Sequence, residues 1–145
     1  MTTVFDVRAD DLIKRVKEEL KKVEQVRPVE WSKFVKTASI KSKPPEQDDF
    51  WYIRAASIMR QLYIRGRPIG VQRLRTKYGG KQQNKTKPAH FMKAGGSIIR
   101  KIMQQLEAAG LIQKATVNGK KGRILTKKGI SYLDKIAAQI KKEKK

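Results

Sequence analysis

Between Phe50 and Leu106 the chain carries 13 lysines and arginines and not one aspartate or glutamate. Such a segment cannot neutralise itself, so its cations borrow carboxylates from elsewhere in the chain or gather at a surface that meets an outside polyanion. The remainder has few to lend. Residues 1–49 hold 11 basic and 10 acidic side chains, and residues 107–145 hold 11 basic and three acidic. Over 145 residues, 35 Lys+Arg against 13 Asp+Glu give a formal charge of +22. Nucleic acid is the expected partner, with an anionic membrane surface the weaker candidate.

The same numbers exclude several classes. The 39% apolar content suits one modest core, as expected of one domain spanning residues 1–145. The longest apolar run is four residues, Phe50 to Ile53, against roughly 20 needed to span a bilayer. The start "MTTVFDVRADD" lacks a secretory apolar region, so the protein is expected to be cytoplasmic. There is no cysteine, and His90 is the single histidine, without a metal-binding companion at a suitable spacing. Asp10-Asp11, Glu18-Glu19 and Asp48-Asp49 are adjacent pairs, which do not face one another on a helix and make poor acid/base partners. No P-loop and no G-x-G-x-x-G occurs. Neither catalysis, a metal nor a cofactor is expected.

Apolar spacing supplies the elements. Leu12, Ile13, Val16, Leu20 and Val23 predict a first amphipathic helix, and Pro28 opens a short second one over "VEWSKFV". A third helix, about Phe50 to Ile64, is apolar around nearly its whole circumference and is expected to be the most buried. Gly66 and Pro68 stop it, and "IGVQRLRTKY" forms a short fourth helix ended by Gly79-Gly80. A fifth, about Ala94 to Ala109, puts Ile98, Ile99, Ile102, Met103 and Leu106 on one face. "LIQKATVNGKKGRILT" reads as a hairpin around Asn118-Gly119, and Thr126 opens a last helix with Ile130, Leu133, Ile136, Ala137 and Ile140 inward. The order is that of a mainly α, winged helix-turn-helix fold with a small β-hairpin wing. Helices are added at both ends: residues 5–49, then a core of about 50–125, then a C-terminal helix of about 126–142.

Candidate binding residues follow from this layout. Thr76 to Gly96 reads as a basic loop with too little apolar surface to order itself, expected to be fixed by phosphates through Lys77, Lys81, Lys85, Lys87, His90 and Lys93. Arg100, Lys101 and Gln104 form a stripe on the fifth helix, where a winged helix meets nucleic acid. Arg73 and Arg75 on the fourth helix and Lys120 and Lys121 at the hairpin tip extend the set. Arg54 and Arg60 interrupt the apolar third helix; each pairs with a carboxylate, Asp48 or Asp49 being local partners for Arg54, or emerges at a surface patch. Trp31, Trp51 and Tyr52 are read as core or staple residues, and Tyr78 and Phe91 as anchors of the basic loop. A winged helix serves RNA proteins and DNA-binding transcriptional regulators alike.

The segments "PVEWSKFVKT", "DDFWYIRAASIMRQLYIRG", "IGVQRLRTKYGG", "KPAHFMKAGGSIIRKIMQQLEAAGLI" and "GRILTKKG", in this order over residues 4–140, resemble the eukaryotic and archaeal S-nineteen family of small-subunit ribosomal proteins. "WYIRAAS", "YGG" and "HFMKAGGSI" carry the likeness, whereas the closing piece is generic to winged helices. The chain is expected to be non-enzymatic and a monomer when free, and the resemblance implies a mostly helical protein containing a winged helix and bound to ribosomal RNA in the head of the small subunit. It further implies neighbouring small-subunit proteins as partners and a part in subunit maturation. Arg54 and Arg60 match the family's central-helix basic patch, and Arg100 and Lys101 its paired basic positions on the later helix. "FWY" at 50–52 departs from the Trp-Phe-Tyr common in eukaryotic members, and the wording looks archaeal.

Overall fold

The computed structural model describes residues 1–82 and 86–145. Helix α1 (Ala9–Leu20) buries Leu12, Val16 and Leu20, one residue per turn, while Asp10 and Asp11 sit in its first turn, where the helix dipole favours negative charge. It ends three residues before the expected Val23. The Val23 N–H donates to the Leu20 carbonyl instead, a tightened turn that leads Val26 into the core. The helix expected over "VEWSKFV" is a single 3-10 turn, Glu30–Lys33. None of its side chains is fully buried, so no tertiary packing extends it beyond one turn.

Helix α2 (Phe50–Arg65) crosses the centre and buries Trp51, Ala55, Ala56, Ile58, Met59 and Leu62. Its apolar residues are not all inside. Ile53 and Tyr63 are half-buried and Ile64 is exposed, so the helix has one partly open face, which also carries the half-buried Ser57 and Arg60. Gly66 then ends the helix at φ 61°, donating its N–H to the Leu62 carbonyl, a conformation a side chain would strain. Helix α3 (Val71–Lys77) follows, and helix α4 (Gly96–Ala108) lies against it with Ile98, Ile99, Ile102, Met103 and Leu106 buried.

The stretch between α3 and α4 differs from the expected open loop. Strand β1 (Gly80–Gln82) pairs antiparallel with β2 (His90–Met92), Lys81 opposite Phe91. Every residue of β2 is exposed, so main-chain hydrogen bonds order this hairpin and side-chain burial does not. Its return into α4 is tied down twice: Ala94 N–H donates to the Arg75 carbonyl and Gly95 N–H to the Thr37 carbonyl.

The wing is the expected hairpin, β3 (Ile112–Val117) against β4 (Lys120–Leu125). Asn118 and Gly119, at φ 54° and 77°, make the two-residue turn whose twist matches the strands. The α2–α3 connection joins its edge: Ile69 and Arg123 exchange both backbone hydrogen bonds at 3.0 Å. Helix α5 (Lys127–Glu143) starts at Thr126, whose hydroxyl accepts the Gly129 N–H, and packs back on α1. Its buried stripe is Gly129, Leu133, Ile136, Ala137 and Ile140. Ile130, expected on that stripe, is 40% exposed; glycine at 129 takes the inner place because a Cβ there would overlap the Leu111 carbonyl. Buried residues from Val4 to Ile140 form one cluster, and the arrangement is mainly α with a winged helix at its centre.

Candidate nucleic-acid interface

The acids of the chain are spent away from the middle. Asp49 pairs with Lys17 at 2.7 Å, Glu18 with Lys21 and Glu19 with Lys22 at 3.2 Å, Glu46 with Lys43 at 2.7 Å, and Glu143 with Arg15 at 3.1 Å. Hydrogen bonds from their lysine partners hold the Asp49 and Glu18 carboxyls below the usual carboxylate range, so both are charged at neutral pH. Glu107 on α4 turns inward to the Arg123 guanidinium at 3.0 Å, fastening the wing to that helix. Among the described residues, no lysine or arginine between Phe50 and Leu106 has a carboxylate within 4.0 Å. The segregation seen in sequence therefore survives folding, and repulsion among these cations is unrelieved from within.

Some of them converge in two groups, the second joined by lysines of the wing. On α4, Ser97, Arg100, Lys101 and Gln104 form one exposed stripe beginning at the helix N-terminus. Arg75 reaches this end from α3. Its Nε donates to the Ala94 carbonyl at 2.7 Å, and a Cβ at Gly96 would stand 3.3 Å from the Arg75 side chain and 3.6 Å from that of Arg100. Two guanidinium side chains thus flank the start of α4, where the helix dipole also attracts anions. The second group is a concavity of about 260 Å³ between the α2–α3 connection and the wing, lined by Arg67, Arg73, Lys120 and Lys121 with Pro68 and Gly70. All four cations are exposed. The Ile69–Arg123 bridge holds its walls together, and Gly122 permits that approach: a Cβ there would lie 2.7 to 2.9 Å from the backbone of Ile69 and Pro68.

Such an array can bind phosphates through multiple donors; among the described residues no group of three or more His, Cys, Asp or Glu side chains is placed to hold a metal ion. A family model described as ribosomal protein S19e matches residues 3–143. The chain belongs to the ribosomal protein S19e family. It is similar to the small ribosomal subunit protein eS19 of Aeropyrum pernix, 49% identical over 144 residues that make up 99% of this chain and 92% of that one. Similar proteins of the same name occur in Thermoplasma volcanium, 42% identical over 99% of this chain and 92% of the relative, and in Oryza sativa subsp. japonica, 41% identical over 95% and 92%.

In this S19e-family chain the remaining candidates are placed unevenly. Arg73, Lys77, Lys81, Lys87, His90 and Lys93 are exposed, along α3 and the β1–β2 hairpin, while Lys85 lies outside the described residues. Arg54 has neither suggested carboxylate, since Asp49 belongs to Lys17. Its guanidinium lies 4.1 Å from the centre of the Tyr78 ring and 5.1 Å from that of Phe50. Burial lowers the Arg54 pKa and raises that of the Tyr78 phenol, which is within 2.6 Å of the Ser57 hydroxyl. Arg54 and Tyr78 thereby join α2 to the end of α3, a cation–π contact. Of the two expected loop anchors, Tyr78 is held against α2 through Arg54 and Ser57, and Phe91, 52% exposed, lies against Gly79, where a Cβ would stand 3.0 Å from its ring. Arg60 is half-buried, and its Nε is buried with no hydrogen-bond partner among the described residues.

Arg67 is absent from the residues the sequence singles out, and Trp31, expected as a core or staple residue, packs edge-on against Trp51 without being buried. Arg67 follows the helix-ending Gly66 and carried no periodic signal; only the bridge from Ile69 to the wing makes it part of a site. Trp51 is buried as expected, but Trp31 is 39% exposed and lines a cleft beside the α4 stripe.

Proposed function

We propose that this protein is a non-enzymatic structural constituent of the small ribosomal subunit. It binds ribosomal RNA in the subunit head through the α4 stripe, the wing concavity and the β1–β2 hairpin, and supports subunit maturation beside neighbouring ribosomal proteins. The observation that carries the reading is the cationic surface of Phe50 to Leu106, without carboxylate partners among the described residues, in a chain of the S19e family. Recognition is by shape and phosphate, because the deep groove of an A-form helix hides base edges from side chains. The domain is a single unit over residues 1–145, monomeric when free and located in the cytoplasm with the ribosome.

Arg60 gives the test. Its half-buried charge has no carboxylate partner among the described residues, so an RNA phosphate is its natural counter-charge. Arg60→Gln, which keeps the stem and removes the charge, is expected to reduce co-sedimentation with small subunits at least tenfold while the melting temperature stays within a few degrees. A protein that unfolds instead assigns Arg60 to the core. A protein that occupies defined duplex DNA sites as a dimer and ignores small subunits favours a winged-helix DNA-binding regulator.

A further inference from the structure

Between the Glu30–Lys33 turn and α4 lies a cleft of about 700 Å³, large enough for a small organic group and set beside the cationic surface. Trp31 forms one wall. It stands edge-on to the buried Trp51, ring centres 6.1 Å apart and planes at 80°, so its orientation is set from below while 39% of its surface is open. Arg100, Lys101 and Lys36 line the cleft with the Gln104 amide, and no acidic residue does. None of the three cations has a carboxylate within 4.0 Å among the described residues. Gly95 and Ser97, both small, keep the entrance by the α4 N-terminus open.

An open indole ringed by cations and one amide suits a group with a flat aromatic face, a polar edge and an anionic attachment. We infer that the cleft takes one unpaired nucleotide of the bound RNA. The base stacks on Trp31, its edge meets Gln104, and the flanking phosphates lie on Arg100, Lys101 and Lys36. A paired base cannot enter, because its faces are covered by neighbours in the helix. This inference rests on the RNA-binding reading and deepens it: phosphate contacts place the protein on a stem, and the cleft selects stems carrying a bulge or loop residue at the correct distance.

Two synthetic RNA hairpins of the same stem, one fully paired and one with a single unpaired adenine in mid-stem, test it with the full chain. The bulged hairpin is expected to bind about tenfold more tightly, the effect of one base–aromatic stack. Trp31→Leu should remove that preference and leave affinity for the paired stem unchanged, whereas Phe34→Leu, which alters an 80% exposed aromatic on the neighbouring residue stretch that does not line the cleft, should change neither. Wild-type tryptophan emission should be quenched by the bulged hairpin alone, a readout that needs no variant and so survives if Trp31→Leu folds poorly. Equal affinity for the two hairpins, or an equal loss on both in Trp31→Leu, overturns the cleft while leaving phosphate binding intact. Binding to neither hairpin at low salt overturns both.

Discussion

Trp51→Ala is expected to destabilise the protein by about 3–5 kcal/mol, the usual cost of emptying a buried aromatic site. Trp51 is 2% exposed on the inner face of α2. Its indole N–H donates to Gln105 Oε1 at 2.7 Å, and Gln105 in turn donates to the Arg27 carbonyl at 2.8 Å. One side chain therefore fills the core, orients α4 and fastens the segment leading to the Glu30–Lys33 turn. Against a typical total stability of about 5–15 kcal/mol, the loss brings the protein close to unfolding at growth temperature. Trp51→Phe separates the contributions. It keeps most of the apolar volume and loses the N–H, and because Gln105 is only half-buried, water can replace the donor; about 1 kcal/mol is expected. Urea midpoints of the two variants against the unaltered chain provide the measurement, and comparable small losses in both would mean that Trp51 is not the keystone of this packing.

The second large effect is on binding. Arg67, Arg73, Lys120 and Lys121 line one concavity, all exposed, so replacing the four by glutamine should alter stability by less than about 0.5 kcal/mol per site. Each phosphate neutralised contributes roughly 0.7–0.9 to the slope of log affinity against log salt, so losing four should flatten the slope by about 3 and weaken RNA binding about a thousandfold near 0.1 M salt. The comparison that gives this meaning is Lys127, Lys135, Lys141 and Lys142 on α5, four exposed lysines of equal total charge on another element. Their replacement should change the slope by less than one. If both quadruple variants lose the same amount, binding follows net charge and not the concavity.

What sequence could and could not yield has physical reasons. The helices α1, α2, α4 and α5 each place a strip of large apolar residues at the helical period, and the wing is announced by Asn118-Gly119, whose positive φ values favour these residues. The β1–β2 hairpin left no such trace. Its three-residue strands have no alternating apolar face, and their order comes from main-chain pairing and from the Arg75 bond to the Ala94 carbonyl. Trp31 is indistinguishable from Trp51 as a string, since both flank helix starts; which indole is covered depends on tertiary packing, Trp51 being buried and bonded to Gln105 of α4. The charge asymmetry is legible and persists in three dimensions, and so is the α4 stripe of Arg100, Lys101 and Gln104, which the helical period alone brings together, but the membership of the wing concavity is not. Arg67 enters only through the Ile69–Arg123 bridge, and Arg54 turns aside between two rings because its expected carboxylate is held by Lys17. Periodicity reports what is buried; the grouping of exposed cations is a property of tertiary contacts that span tens of residues.

The central claim is that the cations of the acid-free stretch, together with Lys120 and Lys121 of the wing, face RNA. Ultraviolet cross-linking inside purified small subunits, with the attached residues read by mass spectrometry, tests it most directly. The account predicts cross-links to ribosomal RNA on the exposed α4 residues from Ser97 to Gln104, on the wing at Lys120 and Lys121, and on the β1–β2 hairpin. Cross-links confined to α1 and α5, or the absence of any RNA adduct on a protein shown to be present in the subunit, would contradict it.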